Sequence, residues 1–269
     1  MLYQAKNGTL AIDGTTLEYI RFGTGKEVMI MLPGLGDGLR TMKGTAMPMA
    51  AMYRMFAKDF TVYAFSRRND IPEGSTTYDM AEDVLFAMDA LGIEKAHVMG
   101  VSMGGMIAQH LAADHPQRID KLVLVVTCPA INPTAEGCIS QWIQDAKAED
   151  HLSLMDSNVR LIYSDAYYQK NKRLIPMLAK LTKPESYDRF LKQADACLTH
   201  DAREKLSRIL VPTLVVGGEQ DHVLGGDPSR ELAAAIPGAK LHMYEKWGHG
   251  LYEEASDFND LILTYLRGE

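Results

Sequence analysis

Residues 95–105, Lys-Ala-His-Val-Met-Gly-Val-Ser-Met-Gly-Gly, constrain the fold more than any other stretch of the chain. A short β-rich run, 97–99, meets Gly100-Val101-Ser102-Met103-Gly104, and an apolar face at helical spacing follows at Ile107, Ala108, Leu111 and Ala112. The order is strand, tight turn, helix, with Ser102 at the apex. A residue pushed out at such a turn is forced into strained backbone angles. Gly100 and Gly104 then lie where strand and helix approach too closely for a Cβ. The first N–H groups of the helix aim at the same point and suit a developing negative charge. In this strand–helix context a G-x-S-x-G pattern marks Ser102 as a candidate nucleophile.

The flanking chain alternates in the same way. Residues 9–12 and 16–22 around Asp13-Gly14 predict a β-hairpin. The runs 28–32, 61–65, 122–126 and 213–216 are short, apolar and β-rich, as buried central strands are, and 240–244 adds one more strand. Residues 39–59 predict one or two helices broken near Pro48, and Ser66-Arg67-Arg68-Asn69-Asp70 predicts a charged loop. Ala81, Val84, Leu85, Met88 and Leu91 mark an amphipathic helix, residues 228–235 another, and Phe258, Leu261, Ile262, Tyr265 and Leu266 the last.

Alternating strands and helices imply a mostly parallel β-sheet flanked by helices, an α/β class. From Cys128 to Ser207 no strand pattern appears, and that stretch is helical in character. The chain thus divides into a core of residues 1–128 and 208–269 and a helical cap over 129–207. Ligands in such sheets bind beyond the C-terminal strand ends. Ser102, the loop Pro33-Gly34-Leu35-Gly36, Asp221 and His249 all fall there.

Composition narrows the function. The net charge of −7 argues against nucleic acid as a main partner. Three scattered cysteines, Cys128, Cys138 and Cys197, offer neither a disulfide framework nor a zinc site, which fits a reducing cytoplasm. No apolar run reaches the length of a membrane span, so no membrane partner is expected. The loop after residue 32 lacks the ending of a P-loop and the spacing of a dinucleotide site, so no cofactor is implied.

A serine hydroxyl needs a base, and the base needs a carboxylate to fix its tautomer. Ser102, Asp221 and His249 supply the three in the chain order of the nucleophile elbow. His222 beside Asp221 competes as base, and Glu219 and Asp227 compete as acid. Arg67 and Arg68 offer guanidinium forks that suit a substrate carboxylate, against a plainer role in ion pairs.

With these residues in place, the sequence resembles the capped α/β-hydrolases over essentially its whole length. Gly100-Val101-Ser102-Met103-Gly104-Gly105 is similar to their nucleophile motif, Gly218-Glu219-Gln220-Asp221 to their acid loop, and Gly248-His249-Gly250 to their histidine loop. The resemblance implies Ser102 as nucleophile, His249 as base, Asp221 as orienting acid, and the backbone N–H groups of Met103 and Leu35 as oxyanion hole. Two positions depart from it: Pro33-Gly34 stands where members commonly have His-Gly, and Ser66-Arg67-Arg68-Asn69 where they often have an Asp-Arg-Gly run. The implied activity is cofactor- and metal-independent hydrolysis of a small ester, thioester or lactone. Carbon–carbon bond hydrolysis and acyl transfer are the alternatives, and a non-catalytic ligand receptor is a further one. A homodimer stays open.

Overall fold

The structure is a computed structural model and describes residues 2–269. Eight strands form one sheet: β1 (Lys6–Ile12), β2 (Thr15–Phe22), β3 (Glu27–Leu32), β4 (Phe60–Arg68), β5 (Ala96–Val101), β6 (Ile119–Val125), β7 (Thr213–Gly218) and β8 (Lys240–Tyr244). Their spatial order is β1-β2-β4-β3-β5-β6-β7-β8. The hairpin β1–β2 joins β4 antiparallel, and every pair from β4 to β8 is parallel. The apolar runs read from the sequence are the middle of this sheet; all six residues of β5 and of β7 are buried. From β3 the chain first moves to β4 on one side and then returns to β5 on the other. The loops after β3 and β5 therefore diverge at the switch point, where such sheets open a crevice.

Eleven α-helices are described: α1 (Ala46–Met52), α2 (Thr77–Ala90), α3 (Met103–Asp114), α4 (Pro133–Lys147), α5 (His151–Ile162), α6 (Asp165–Asn171), α7 (Ile175–Thr182), α8 (Asp188–Leu198), α9 (Asp227–Ala235), α10 (Leu251–Glu254) and α11 (Phe258–Arg267). Local chemistry sets several starts. Thr76 and Asp79 form a reciprocal capping box on α2. Asn132 caps α4 with Pro133 in its first turn, and Asp150 caps α5. The helix after β5 ends before His115-Pro116, as a proline dictates.

Two expectations need correction. Pro48 does not break a helix. It sits in the first turn of α1, where its missing N–H has no intrahelical partner to lose. Ser66, Arg67 and Arg68 are not loop residues either, because β4 continues through Arg68 and pairs with Leu17 of β2.

Helices α4–α8 lie between β6 and β7 in the chain. They rest on the C-terminal strand edge at two points, with α8 against residues 35–38 and the end of α5 against Gly250. Beyond α8 an isolated bridge pairs Ala130 with Asp201, and a 3-10 turn, Arg203–Arg208, returns to α3, where Lys205 bonds Asp114. Nearby, the Thr77 hydroxyl lies between His110 of α3 at 3.2 Å and His200 at 2.9 Å, all three buried. Burial, with Lys205 adding, pushes His110 down to about 4. Burial, with His110 adding, pushes His200 to about 3.

Candidate active site

Ser102 follows the last residue of β5 and has φ 53°, ψ −120°, a region an L-residue occupies only when its surroundings force it. The surroundings do force it. A Cβ on Gly100 would collide with the Gly104 carbonyl, and one on Gly104 with the Leu32 carbonyl, so strand, turn and helix close around the serine only with glycine at both places. The Ser102 N–H donates to the Val125 carbonyl at 2.9 Å, which ties the turn to the next strand.

His249 lies beyond β8 and is 4% exposed. Its Nε2 is 3.0 Å from Ser102 Oγ, and its Nδ1 is 2.8 Å from Asp221 Oδ2. The other Asp221 oxygen accepts the backbone N–H groups of Val223 and Leu224 at 2.8 and 2.9 Å. The carboxylate is thereby fixed in its loop, and the Nδ1 hydrogen bond leaves Nε2 facing the serine. The structure brings together the three residues expected from the sequence. It leaves their competitors elsewhere: His222 is exposed, Glu219 pairs with Arg230, and Asp227 is an exposed residue in the first turn of α9.

The loop after β3 forms the other wall. A Cβ on Gly34 would stand 3.3 Å from Ser102 Cβ, so Pro33-Gly34 passes directly beside the serine. Leu35 opens a 3-10 turn, Leu35–Gly38, and Met103 opens α3. A first helical residue has no intrahelical acceptor for its N–H, so both positions carry donors free to meet a ligand.

Sequence reasoning missed what holds this loop. Asp37, 3% exposed, accepts the Arg67 backbone N–H at 3.1 Å and pairs with Arg189 of α8. Arg189 also donates to the Asp37 carbonyl, to the Arg67 carbonyl at 2.9 Å and to the Arg68 carbonyl at 3.1 Å. Arg67, 4% exposed, donates its guanidinium to the Pro33 carbonyl. Burial lowers its pKa, against an upward pull from Asp37. Phe190 presses its Cα against Gly38, leaving no room for a larger residue there. The two arginines thus serve the protein's own backbone and carboxylates; Arg68 forms a buried-edge pair with Asp83. Asp37 was visible only as one polar residue in a glycine-rich loop, and nothing in the pattern around Arg189 marks it.

At the histidine loop the Gly250 N–H donates to the Ile162 carbonyl at 2.6 Å. The Ser164 backbone and hydroxyl hold Glu254 at 2.9 and 2.6 Å, and Tyr163 bonds Glu253 at 2.8 Å. Among the described residues no group of three His, Cys, Asp or Glu converges in a way that could hold a metal, and the three cysteines are unpaired. Burial pushes the Cys197 thiol up to about 12. A recess of about 320 Å³ lies away from Ser102, between Arg68, Ile71, Glu73 and Asp79.

A buried sheet with a strained serine at its switch point, backed by histidine and aspartate from later strand ends, defines a hydrolase-type architecture. The sequence profile of the alpha/beta hydrolase fold family matches residues 27–256, and the chain belongs to that family. It is 30% identical over 264 residues to the 2-hydroxy-6-oxononadienedioate/2-hydroxy-6-oxononatrienedioate hydrolase of Paraburkholderia xenovorans (strain LB400), covering 93% of this chain and 90% of that one. It is 29% identical over 264 residues to the dihydrolipoyllysine-residue acetyltransferase component of the acetoin cleaving system of Cupriavidus necator, covering 96% of this chain and 68% of that one. The crystal structure of the enol-lactonase from Burkholderia xenovorans LB400 superposes with a TM-score of 0.83 at 27% identity, covering 97% of this chain and 100% of that one. No helix among the described residues is long and apolar enough to cross a membrane.

Proposed function

We propose that this chain is a serine hydrolase that cleaves a small carboxylic ester, thioester or lactone through an acyl-enzyme on Ser102. The observation that carries the reading is the unbroken chain from Ser102 Oγ to His249 Nε2 at 3.0 Å and from His249 Nδ1 to Asp221 at 2.8 Å, mounted on a strained turn. Ser102 attacks the carbonyl carbon as its proton passes to His249 Nε2. Asp221 holds the Nδ1–H and stabilises the imidazolium. The N–H groups of Met103 and Leu35 receive the oxyanion. His249 returns the proton to the leaving oxygen or sulfur, then takes one from water, which releases the acid and regenerates Ser102. The helices of 129–207 act as a lid that excludes water from the acyl-enzyme.

Arg67, Asp37 and Arg189 belong to this machinery as positioning residues. They fix the backbone on both sides of Leu35, and their two positive charges and one negative leave a net positive charge behind the oxyanion loop.

The test is hydrolysis of a p-nitrophenyl ester series, acetate to octanoate, with Ser102→Ala alongside. Serine-dependent turnover with a chain-length optimum supports the reading, and Ser102→Ala is expected to lose about 10⁴-fold in kcat. Near-wild-type activity in that variant removes Ser102 from the mechanism. Activity is expected to survive a strong chelator.

The names of the relatives favour a second reading. Carbon–carbon bond hydrolysis or acyl transfer uses the same three residues. Phosphonate labelling of Ser102 without turnover of any ester moves the assignment there, while no labelling of folded protein supports a ligand receptor.

A further inference from the structure

We propose that the outer face of α7 docks this protein on an anionic phospholipid surface. The helix packs on the rest of the molecule through α5, and only Ile175 and Ala179 are buried. On its opposite side Leu174, Met177, Leu178 and Leu181 recur at i, i+3, i+4 and i+7 and stand in solvent, Leu181 with 74% of its surface exposed. Leu152 of α5, 47% exposed, widens the patch where it shares a recess with Ile175 and Pro176. A contiguous apolar stripe of this kind marks an interaction surface, whereas apolar residues scattered singly would not.

Charge identifies the occupant. Lys170, Lys172, Arg173, Lys180 and Lys183 flank the stripe along the chain, and no acidic residue occurs between 166 and 184, in a chain of net charge −7. All five are exposed. Among the described residues only Lys183 has an acidic partner, Glu149 at 3.6 Å. The acidic groups beside the recess are engaged locally: Asp150 caps α5, and Asp156 pairs with Arg160. An apolar stripe rimmed by lysine and arginine is the surface that lies in a headgroup layer, with leucines below and ammonium groups among the phosphates. A second copy of this chain fits poorly, since a two-fold contact would set the same basic rims against each other. The earlier expectation of no membrane partner rested on the lack of a spanning run, a criterion that does not bear on surface docking.

The experiment is co-sedimentation of the whole protein with vesicles of phosphatidylcholine alone or mixed equally with phosphatidylglycerol. Binding to the mixed vesicles is expected to exceed binding to the neutral ones at least about tenfold, and to weaken with salt. The triple variant Lys170→Glu, Arg173→Glu, Lys180→Glu is expected to lose about a hundredfold in partition. Leu178→Ser with Leu181→Ser is expected to lose binding while the charges remain. Thermal melting by circular dichroism verifies that each variant is folded, independently of any catalytic assay. Equal binding to both vesicle types, or none, overturns the proposal. So does a concentration-dependent dimer in sedimentation velocity that the leucine variants dissolve, because the stripe is then covered by a second copy.

Discussion

Helices α7 and α8 follow one another between β6 and β7 and are opposites in use. In α8, Phe190, Gln193, Ala194 and Cys197 are buried, and Arg189 carries its charge down onto Asp37. In α7 Ile175 and Ala179 face inward, while Met177, Leu178 and Leu181, with Leu174 at its N-cap, face water. One helix takes charge into the protein and the other leaves hydrocarbon outside it. Each arrangement costs folding free energy taken alone, since a buried ion must be paired and an exposed leucine gains nothing from the fold. The difference teaches that the two helices have different proposed tasks: α8 holds the loop after β3, proposed to carry an oxyanion donor, and α7 is proposed to meet a surface beyond the molecule.

The largest effect that separates them is at Arg189. Arg189→Met leaves the Asp37 carboxylate buried without its main side-chain partner, at a cost of about 3 kcal/mol. It also frees the loop that carries the Leu35 N–H. A misplaced oxyanion donor costs about 100-fold, and the loss is expected in kcat more than in KM. Arg189→Lys is expected to recover part of it. Stopped-assay kinetics and denaturant melts on the same samples decide the matter. A lower stability with kcat unchanged would make the contact structural only.

That contact also shows where sequence reading stops. The sheet was legible because buried strands are short apolar runs, and the elbow because glycine is forced at 100 and 104. His249 and Asp221 were legible because strand ends on one edge leave few candidates. Helical periodicity shows that 175–182 and 188–198 each have an apolar side, but a period carries no sign of which side meets the protein. The pairing of Asp37 with Arg189 spans 152 residues and depends on how the cap is seated, which no local pattern encodes. Arg67 and Arg68 were read as loop charges for a related reason: two arginines in sequence look solvated until the neighbouring strand and loop are in place to receive them.

At the other end of α8 the chain returns to α3 through the ion pairs of Asp114 with Lys205 and Arg208 and, beside them, a buried neutral cluster of Thr77, His110 and His200. His110 and His200, held near 4 and 3, stay unprotonated in the folded protein well below the 6.5 of a free histidine. The unfolded chain therefore takes up protons that the folded chain does not. The stabilisation is present above about pH 6.5 and is lost progressively as the pH falls toward 4 for His110 and toward 3 for His200, each histidine losing about 2 kcal/mol near pH 5. Melts at pH 7.5 and pH 5 test this. His200→Gln is expected to flatten the dependence, while Arg189→Met is not, and equal slopes in both variants would detach the effect from this cluster.

A smaller effect is expected where the cap touches the histidine loop. Ser164→Ala removes one hydroxyl from Glu254 and from the N-terminus of α6, but leaves the Ser164 backbone N–H and the Gly250 to Ile162 bond in place. A partly buried hydrogen bond of this kind contributes about 1 kcal/mol, and His249 keeps its Asp221 partner throughout. Turnover is expected to fall no more than about threefold. A loss comparable with that of Arg189→Met would show that this contact controls His249 as strongly as Arg189 controls the loop after β3.

The smallest effect is the sharpest test of the contrast. Leu181 is 74% exposed, so Leu181→Ser gives up almost no buried area. The change in stability in solution is expected to stay within about 0.5 kcal/mol, and turnover of a soluble ester is expected not to change. Phe190→Ser, at a side chain 2% exposed on α8, removes a buried aromatic and is expected to cost about 4 kcal/mol. If the Leu181 variant melts as early as the Phe190 variant, α7 is packed against something in the free protein. Its apolar stripe would then belong to the fold, and the contrast between the two helices would collapse.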